Sequence, residues 1–384
     1  MDVKPAIVVI TFNRPKSLKR LLKSLEEAYY EEAGVPLVIS IDYQNTTKHT
    51  DVVDFAENFV WKYGEKRIIK HSENLGLRKH VLTCGDLVND YESIIMLEDD
   101  LFVSPEFYNY TTKALTFYKN EDKIGGISLY THKKNFLNKY PFETISDSND
   151  VFFLQIASSW GQAWTKKQWN GFREWLEGQR IIESDPIPIQ VKNWPETSWL
   201  KFFIKYLVFT DKYFVYPTAS FSTNFGDSGT HNRKSNVVYQ VPFFLGKEIR
   251  FIEIEKSINV YDAFFEILPS RLKRLSPALE DIEFSVDLYG EKVIENIKTE
   301  YLISSKKNRN QSAKYFGLEV KPMVLNLVYK IEGEVFSLDS KYNFNELTLF
   351  DVSNEEVFNY LFSSISIKKL TLLLANRVRN KIKK

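Results

Sequence analysis

The stretch "AIVVITFNRPKSLKRLLKSL" at residues 6–25 joins an apolar, β-branched run to an amphipathic segment. The run over 6–12 is typical of a strand that is buried on both faces. In the segment that follows, "NRPKSLKRLLKSLEEAYYEE" (13–32), Pro15 stands near a helix start, and leucines at 18, 21, 22 and 25 mark one helix face. The stretch therefore predicts a strand followed at once by a helix, which is the first half of a βαβ unit.

The same alternation continues along the chain. Further strands are predicted at "VPLVISID" (35–42), "KRIIKHS" (66–72) and "YESIIMLEDD" (91–100), with helices at "DVVDFAENFVWKYG" (51–64) and "GLRKHVLTCGDLVND" (76–90). Strands that alternate with helices imply right-handed crossovers and a mostly parallel sheet. The predicted fold class is therefore α/β, with a Rossmann-like first domain.

Length and composition allow more than one domain. A chain of 384 residues, 43% of them hydrophobic, is long enough for two or three. The alternation of strands and helices fades beyond about residue 240. We therefore predict a first domain over 1–240 and a smaller α+β domain over 241–384.

Charge and cysteine usage narrow the class of protein. The 51 Lys and Arg residues balance 50 Asp and Glu residues, so there is no global electrostatic reason to expect nucleic acid as a partner. The single cysteine, Cys84, cannot form an intramolecular disulfide, which fits a reducing compartment. Without an apolar run long enough for a signal peptide or a membrane span, the expectation is a cytoplasmic protein.

The C-terminal segment 367–384, "IKKLTLLLANRVRNKIKK", contains seven basic residues and no acid. A basic amphipathic helix can lie on an anionic membrane surface, which predicts peripheral contact with the inner face of the membrane. The alternative is a helix that docks on its own domain.

Polar residues follow the predicted strands at the points where they end. These residues are Thr11, Asn13, Arg14, Asp42 and the acid triplet Glu98, Asp99 and Asp100. Ligands of open parallel sheets bind beyond the carboxyl ends of the strands, so we expect chemistry at this edge. The first strand is followed by neither the GxGxxG fingerprint nor the P-loop pattern, which counts against those two nucleotide-binding motifs.

Three adjacent carboxylates repel one another, and burying one of them unpaired is costly. A divalent cation such as Mn²⁺ or Mg²⁺ would relieve that cost, because it prefers oxygen ligands and often combines one or two carboxylates with phosphate and water. The alternative is that the acids simply face water in a turn. The residues of the triplet alone do not decide between the two.

An ordered series of motifs resembles the nucleotide-sugar domain of inverting GT-A glycosyltransferases. The similarity is to the N-acetylglucosaminyltransferase I-like group and to bacterial family 2-type relatives, and it covers roughly residues 5–235, with a weaker match at "SVDLYG" (285–290). The motifs that carry it are "AIVVITFNRPKSLKRLLKSL", "VISIDYQ", "ENLGLRKHV", "IIMLEDDLFVSPEFYNY", "SSWGQAWTKKQWNGF", "PETSW" and "STNFGDSGTHN".

The resemblance implies a different role for each of the three acids. The family's DxD motif corresponds to Glu98-Asp99-Asp100, which makes Asp100 the metal ligand, Asp99 a supporting ligand and Glu98 a contact to the sugar or ribose. The expected cofactor is Mn²⁺ or Mg²⁺.

Other donor-binding residues are implied in the same way, and each has a structural alternative. Asp42 matches the acid that binds the base, but it could instead cap a helix. Arg14 is similar to the arginine that reaches the donor nucleotide or phosphate, with Thr11 and Asn13 beside it. Arg78 is a comparable candidate. The alternative for both arginines is an exposed, solvated side chain.

Glu196 is the candidate general base. Bacterial relatives have an aspartate three residues before tryptophan, and "PETSW" places Glu196 three residues before Trp199. The acid here is Glu, and Pro195 precedes it, so the chain departs from the family pattern. The alternative is an acid in the first turn of a helix, where the dipole favours it.

Two further motifs complete the candidate site. Trp160, Gly161 and Trp164 in "SSWGQAW" match the floor of the sugar pocket, although aromatic residues serve equally well as core. His231 in "GDSGTHN" matches a donor-closing loop and is a candidate ligand of diphosphate or metal, with Asp227 a weaker one. The alternative for His231 is simple exposure.

The leading hypothesis is a metal-dependent inverting transferase of hexosyl or N-acetylhexosaminyl groups. It would use a nucleotide-diphosphate sugar, with UDP-sugars favoured, and a glycan or lipid-linked acceptor in bacterial surface polysaccharide synthesis. A sugar nucleotidyltransferase is the second hypothesis, although the glycine-rich first loop of such enzymes is missing. A non-catalytic glycan-binding module is the third.

Overall fold

The computed structural model describes residues 3–31, 33–178, 186–227, 237–309, 314–345, 357, 359–360 and 371. His231 and nearly all of the basic segment, 367–370 and 372–384, lie outside these residues. The chain divides into two compact units. The first contains residues 1–133 and 144–267, and the second contains 134–143 and 268–384.

The first unit alternates strands with helices through its N-terminal half. Its strands are β1 (Ala6–Thr11), β2 (Leu37–Ile41), β3 (Lys66–Lys70), β4 (Ser93–Glu98), β5 (Leu101–Val103), β6 (Ile124–Ser128), β7 (Val151–Leu154), β8 (Gln162–Thr165), β9 (Tyr213–Pro217), β10 (Ser222–Asn224) and β11 (Val260–Tyr261). Its helices are α1 (Pro15–Glu26), α2 (Thr47–Asn58), α3 (Gly76–Gly85), α4 (Val88–Tyr91), α5 (Phe107–Tyr118), α6 (Lys166–Glu177), α7 (Ile189–Lys192) and α8 (Trp199–Phe209).

Nine of these strands form one sheet in the order β11-β7-β9-β6-β8-β4-β1-β2-β3 within the described residues. The four strands β3, β2, β1 and β4 run parallel. Strand β8 pairs antiparallel with both of its neighbours, β4 and β6, and β7 pairs antiparallel with β9. The predicted α/β class with a mostly parallel sheet is confirmed.

Strand β1 lies inside the large sheet, between β4 and β2, and leads into α1. All six residues of β1 are buried, as expected for a strand with neighbours on both edges and helices on its faces. Helix α1 starts at Pro15 and buries the predicted leucine face, namely Leu18, Leu21, Leu22 and Leu25. Because the strand leads directly into the helix, Asn13 and Arg14 are held at the carboxyl end of β1.

Aromatic residues form the core beside β8. Trp164 is fully buried, and its ring lies 4.9 Å from Trp169 and 5.7 Å from Phe203, centroid to centroid. Trp164 is therefore a core residue, which is the alternative given above, because its ring packs among other rings. Helices α6 and α8 supply its neighbours.

Trp164→Ala is expected to lower the free energy of unfolding by about 3–5 kcal/mol, because it removes a large buried ring and leaves a cavity. The midpoint of urea unfolding measures this loss. Trp175→Ala is the control, since Trp175 lies on α6 but is only partly buried. Equal losses in the two variants would contradict the assignment of Trp164 to the core.

The second unit has a sheet of its own, so the predicted smaller domain is present. Its strands β12 (Phe284–Asp287), β13 (Tyr301–Ser304), β14 (Lys314–Phe316) and β15 (Phe336–Ser340) form a sheet in the order β12-β13-β15-β14. In the described part of this unit, the sheet is accompanied by helices α9 (Pro269–Leu275) and α10 (Val324–Val328) and by 3₁₀ turns at Pro277–Leu279, Ile294–Asn296 and Lys341–Asn343.

The division between the units lies at residue 267, whereas the sequence predicts it at 240. Residues 241–267 belong to the first unit because β11 pairs with β7 at the edge of the large sheet. A strand of two residues carries too short an apolar pattern to be recognised. In the described part of the chain, none of the helices combines the length and apolar character needed to cross a bilayer.

Candidate active site

The candidate site lies at the carboxyl edge of the parallel strands, where the strand order reverses. Going along the chain, β2 and β3 lie on one side of β1, whereas β4 lies on the other. Such a switch point opens a crevice between the loops that follow the two adjacent strands, here β1 and β4. Residues 11–14 and 98–100 lie at the ends of β1 and β4 and in the loops that follow them, so the predicted polar residues meet there.

Arg14 joins two of the three acids. Its Nη1 donates to Asp100 Oδ2 at 3.1 Å, and its Nη2 forms an ion pair with Asp99 Oδ1. The remaining oxygens are also engaged. Thr11 Oγ1 donates to Asp99 Oδ2 at 2.7 Å, and Asn224 Nδ2 donates to Asp100 Oδ1 at 3.2 Å. Both carboxylates are therefore buried with every oxygen hydrogen-bonded.

Among the described residues, carboxylates outnumber cations in this cluster. Three carboxylates stand against one guanidinium, that of Arg14. Burial raises the pKa of Asp99 to about 6 even though Arg14 acts in the opposite direction. Burial, and then the charge of Asp100, raises the pKa of Glu98 well above its ordinary value. Burial acts to lower the pKa of Arg14, but the charges of Asp99, Asp100 and Glu98 raise it overall.

This donor set fits a divalent cation that takes most of its ligands from elsewhere. Among the described residues, no group of three or more His, Cys, Asp and Glu side chains is arranged to hold a metal ion by itself. Mg²⁺ and Mn²⁺ often use only one or two carboxylates and complete their shell with phosphate oxygens and water. The uncompensated negative charge beside Asp100 is suited to such an ion.

Asp42 caps the start of α3. Its Oδ1 accepts from the N–H groups of Tyr43 at 2.9 Å and Leu75 at 2.8 Å, and its Oδ2 accepts from that of Gly76 at 3.1 Å. This is the geometry of the capping alternative, and it links the end of β2 to the start of α3. Beside it, Asn13 Nδ2 donates to Gln44 Oε1 at 2.6 Å.

Asp42→Ala is expected to lower the free energy of unfolding by about 1–2 kcal/mol, because it removes a helix cap and leaves backbone N–H groups without acceptors. Urea unfolding measures the change. Asp51→Ala, at an exposed position on α2, is the control and should be nearly neutral. An Asp42 variant as stable as the control would contradict the capping role.

Arg78, in the first turn of α3, contacts Glu196. Arg78 Nη1 donates to the Glu196 carbonyl at 2.6 Å, and its guanidinium lies 4.3 Å from the centre of the Phe202 ring. The Glu196 side chain is 75% exposed, and its Oε1 accepts from Lys201 Nζ at 2.6 Å. The hydrogen bond from Lys201 lowers the pKa of Glu196, so the carboxylate is ionised at neutral pH. An ionised and accessible carboxylate can accept a proton.

Trp160 and Gly161 lie where β8 begins. The Trp160 ring is partly buried and lies 4.7 Å from Tyr130 and 4.6 Å from Tyr239, centroid to centroid. Gly161 has φ +91°, and a Cβ there would lie 3.2 Å from both Leu129 Cβ and Ser222 Oγ. Both the backbone conformation and the close approach therefore favour glycine at this position.

The end of β10 returns to the acid cluster through a contact that no sequence motif predicts. Asn224, at the end of β10, binds Asp100 because β10 pairs with β5 directly after the acids. Asp227 accepts from Ser17 Oγ at 2.7 Å and forms an ion pair with Arg20, both on α1. In the sequence, only the polar composition of "STNFGD" could have indicated that this segment contacts the acids. His231, four residues beyond Asp227, lies outside the described residues.

No protein-family model matches the sequence, and neither does any curated protein. Among solved structures, the chain is similar to the mannosyltransferase PcManGT from Pyrobaculum calidifontis in complex with GDP-Man and Mn²⁺, with 14% identity and a TM-score of 0.32 over 46% of this chain and 48% of that one. It is also similar to S. aureus TarS 1–349 in complex with UDP-GlcNAc, with 13% identity and a TM-score of 0.37 over 60% of each chain. The same TarS fragment in complex with UDP matches with 11% identity and a TM-score of 0.33, over 57% and 60%. The matches thus span between about half and three fifths of those chains.

Proposed function

We propose that this chain is a metal-dependent inverting glycosyltransferase. It moves a hexosyl or N-acetylhexosaminyl group from a nucleotide-diphosphate sugar, with UDP-sugars favoured, to a hydroxyl of a glycan or lipid-linked saccharide. The pathway in which we place it is bacterial surface polysaccharide synthesis. The observation that carries the proposal is the acid cluster Glu98-Asp99-Asp100 with Arg14, located at the switch point of a parallel sheet.

The donor is bound by the loops that follow β1, β2 and β4. Asp100, supported by Asp99, would hold Mn²⁺ or Mg²⁺, which when bound neutralises the charge that develops on a leaving diphosphate. Arg14 and Arg78 supply positive charge for the phosphates, and Glu98 contacts the sugar or ribose. Further donor contacts are assigned to Thr11, Asn13, Asp42, Trp160, Gly161 and His231.

Glu196 removes the proton of the acceptor hydroxyl. The acceptor oxygen then attacks the anomeric carbon of the donor, the bond from that carbon to the diphosphate oxygen breaks, and the electron pair leaves with the diphosphate. One attack in line with the leaving group inverts the configuration, so no covalent intermediate with the protein is needed. The exposed carboxylate of Glu196 supports this role, because an acceptor hydroxyl can reach it.

The remaining parts of the chain have supporting roles in this proposal. The second unit is an accessory domain, and the basic segment 367–384 contacts the inner face of the membrane, where a lipid-linked acceptor would be found. The protein itself is placed in the cytoplasm, with no nucleic-acid partner.

A thermal-shift screen tests the proposed donor. Nucleotide sugars that bind only the folded state raise the melting temperature. We expect UDP- or GDP-sugars to do so with Mn²⁺ present and to lose the effect when EDTA is added. No shift with any nucleotide sugar would contradict the proposal. Release of pyrophosphate from UTP and a sugar 1-phosphate would instead support a nucleotidyltransferase.

A further inference from the structure

Arg14 occupies the carboxylate oxygens that a metal ion would need. Its two terminal nitrogens bind one oxygen of Asp99 and one of Asp100, while Thr11 and Asn224 bind the other two. All four oxygens of the two carboxylates are therefore already acceptors. Each of these oxygens keeps a second lone pair, so an ion that binds Asp100 shares its oxygens with a hydrogen-bond donor, and Arg14 is the only one of the three donors that carries a charge.

A guanidinium and a divalent cation cannot share these oxygens at low cost. Mg²⁺ requires its oxygen ligands at about 2.0–2.1 Å in a near-octahedral arrangement. At such distances the ion and the guanidinium would be close neighbours of like charge, and their repulsion is strong where burial reduces screening. Arg14 and the metal ion therefore compete for the carboxylate oxygens of Asp99 and Asp100.

The local structure allows the Arg14 side chain to move while its backbone stays in place. The Arg14 carbonyl accepts from the N–H of Leu18 at 3.0 Å, and Pro15 begins α1 directly after it. The side chain is nevertheless 25% exposed, although the carboxylates that it binds are buried. The guanidinium can thus reach an anion that enters the crevice without any change in the fold.

We propose that Arg14 is an internal cation that competes with the divalent metal for Asp99 and Asp100, so that the metal binds weakly until a diphosphate draws the guanidinium away. The inference rests on the proposed function, because it concerns the metal site of that function. Its consequence is linked binding: metal and nucleotide diphosphate each raise the affinity for the other. In the free protein, Arg14 offsets part of the negative charge of the acids.

The test is the affinity for Mn²⁺ alone, followed through the electron paramagnetic resonance signal of free Mn²⁺. We expect Arg14→Ala to bind Mn²⁺ at least about tenfold more tightly than the unmodified protein, because the competing charge is gone. Addition of UDP or GDP should tighten Mn²⁺ binding strongly in the unmodified protein and much less in the variant. Arg14→Lys, which retains the charge but cannot bridge two carboxylates, should give an intermediate affinity.

Arg20→Ala is the matched control. The Arg20 side chain is also 25% exposed and also binds a carboxylate, but that carboxylate is Asp227. We expect its Mn²⁺ affinity to change by less than about threefold, since only a more distant charge is lost. Equal or weaker Mn²⁺ binding in both Arg14 variants would overturn the inference, and so would an equal gain in Arg20→Ala. If no variant binds Mn²⁺ even with UDP or GDP, the metal site of the proposed function is itself refuted.

Discussion

Asp100→Asn is expected to reduce sugar transfer by about a thousandfold or more, because several kcal/mol of metal-based stabilisation of the leaving diphosphate are lost. Asparagine has nearly the same shape but no charge, so its amide oxygen is a much weaker ligand of a divalent cation than the carboxylate. The stabilisation of the protein by a nucleotide sugar with Mn²⁺ should disappear as well. Rates of UDP or GDP release and melting temperatures measure the two effects.

The comparison variant is Asp90→Asn. Asp90 also pairs with an arginine, Arg67, at 3.2 Å, but it precedes β4 and lies at the opposite end of that strand from Asp100. It should retain full activity. An Asp100 variant that keeps its activity and its Mn²⁺-dependent donor binding would remove Asp100 as the metal ligand.

Glu196→Gln is expected to reduce kcat by about a hundredfold or more, the usual contribution of a general base. Glutamine keeps an oxygen that can accept from Lys201 but cannot take up a proton from the acceptor. Binding of the donor should change little, because the proposed role of Glu196 concerns the acceptor. Steady-state rates at saturating donor, together with calorimetric titration of UDP, separate the two quantities.

Glu73→Gln is the matched control for Glu196. Its side chain is 73% exposed and pairs with Lys79 at 3.3 Å, so it resembles Glu196 in exposure and in partner. The sequence places it in the loop after β3, at the same edge of the sheet. If both variants lost the same activity, or if Glu196→Gln kept most of its rate, the base would have to be another group.

The N-terminal half of the fold could be predicted because each element has a pattern of its own. The apolar run 6–12 corresponds to β1 within a residue, and the leucine face lies on α1, which begins at Pro15 but ends at Glu26, before the end of the predicted segment 13–32. The second helix was predicted from residue 51, but it begins at Thr47, since Thr46 caps it by accepting from the N–H of His49 at 3.4 Å. Its predicted end was too late because Trp61 leaves the helix and donates to the Val35 carbonyl at 2.8 Å.

Contacts between distant residues explain the features that were missed. The predicted helix over 76–90 breaks after Gly85, where Asp86 Oδ1 accepts from Trp169 Nε1 at 2.8 Å. A Cβ at position 85 would lie 1.8 Å from the Trp169 ring, so the close packing of α6 requires glycine there. No local pattern near residue 85 reports a tryptophan from a later helix.

In the candidate site, too, the local patterns could be predicted, whereas contacts between distant residues could not. The sequence predicts that Thr11, Arg14 and the acids meet, because parallel strands place their carboxyl ends together. That Arg14 binds two acids at once depends on side-chain geometry, and no residue pattern reports it. The contact from Asn224 to Asp100 depends on the pairing of two strands of three residues each.

The most direct test of the account is Mn²⁺-dependent release of nucleotide from a nucleotide sugar. The unmodified protein is incubated with a panel of UDP- and GDP-sugars, with and without a saccharide acceptor, and the released UDP or GDP is measured. The account predicts release from at least one donor in the presence of Mn²⁺, faster with a suitable acceptor and stopped by EDTA or by Asp100→Asn. Release that is unaffected by EDTA and by Asp100→Asn, or no release from any donor of the panel, would contradict it.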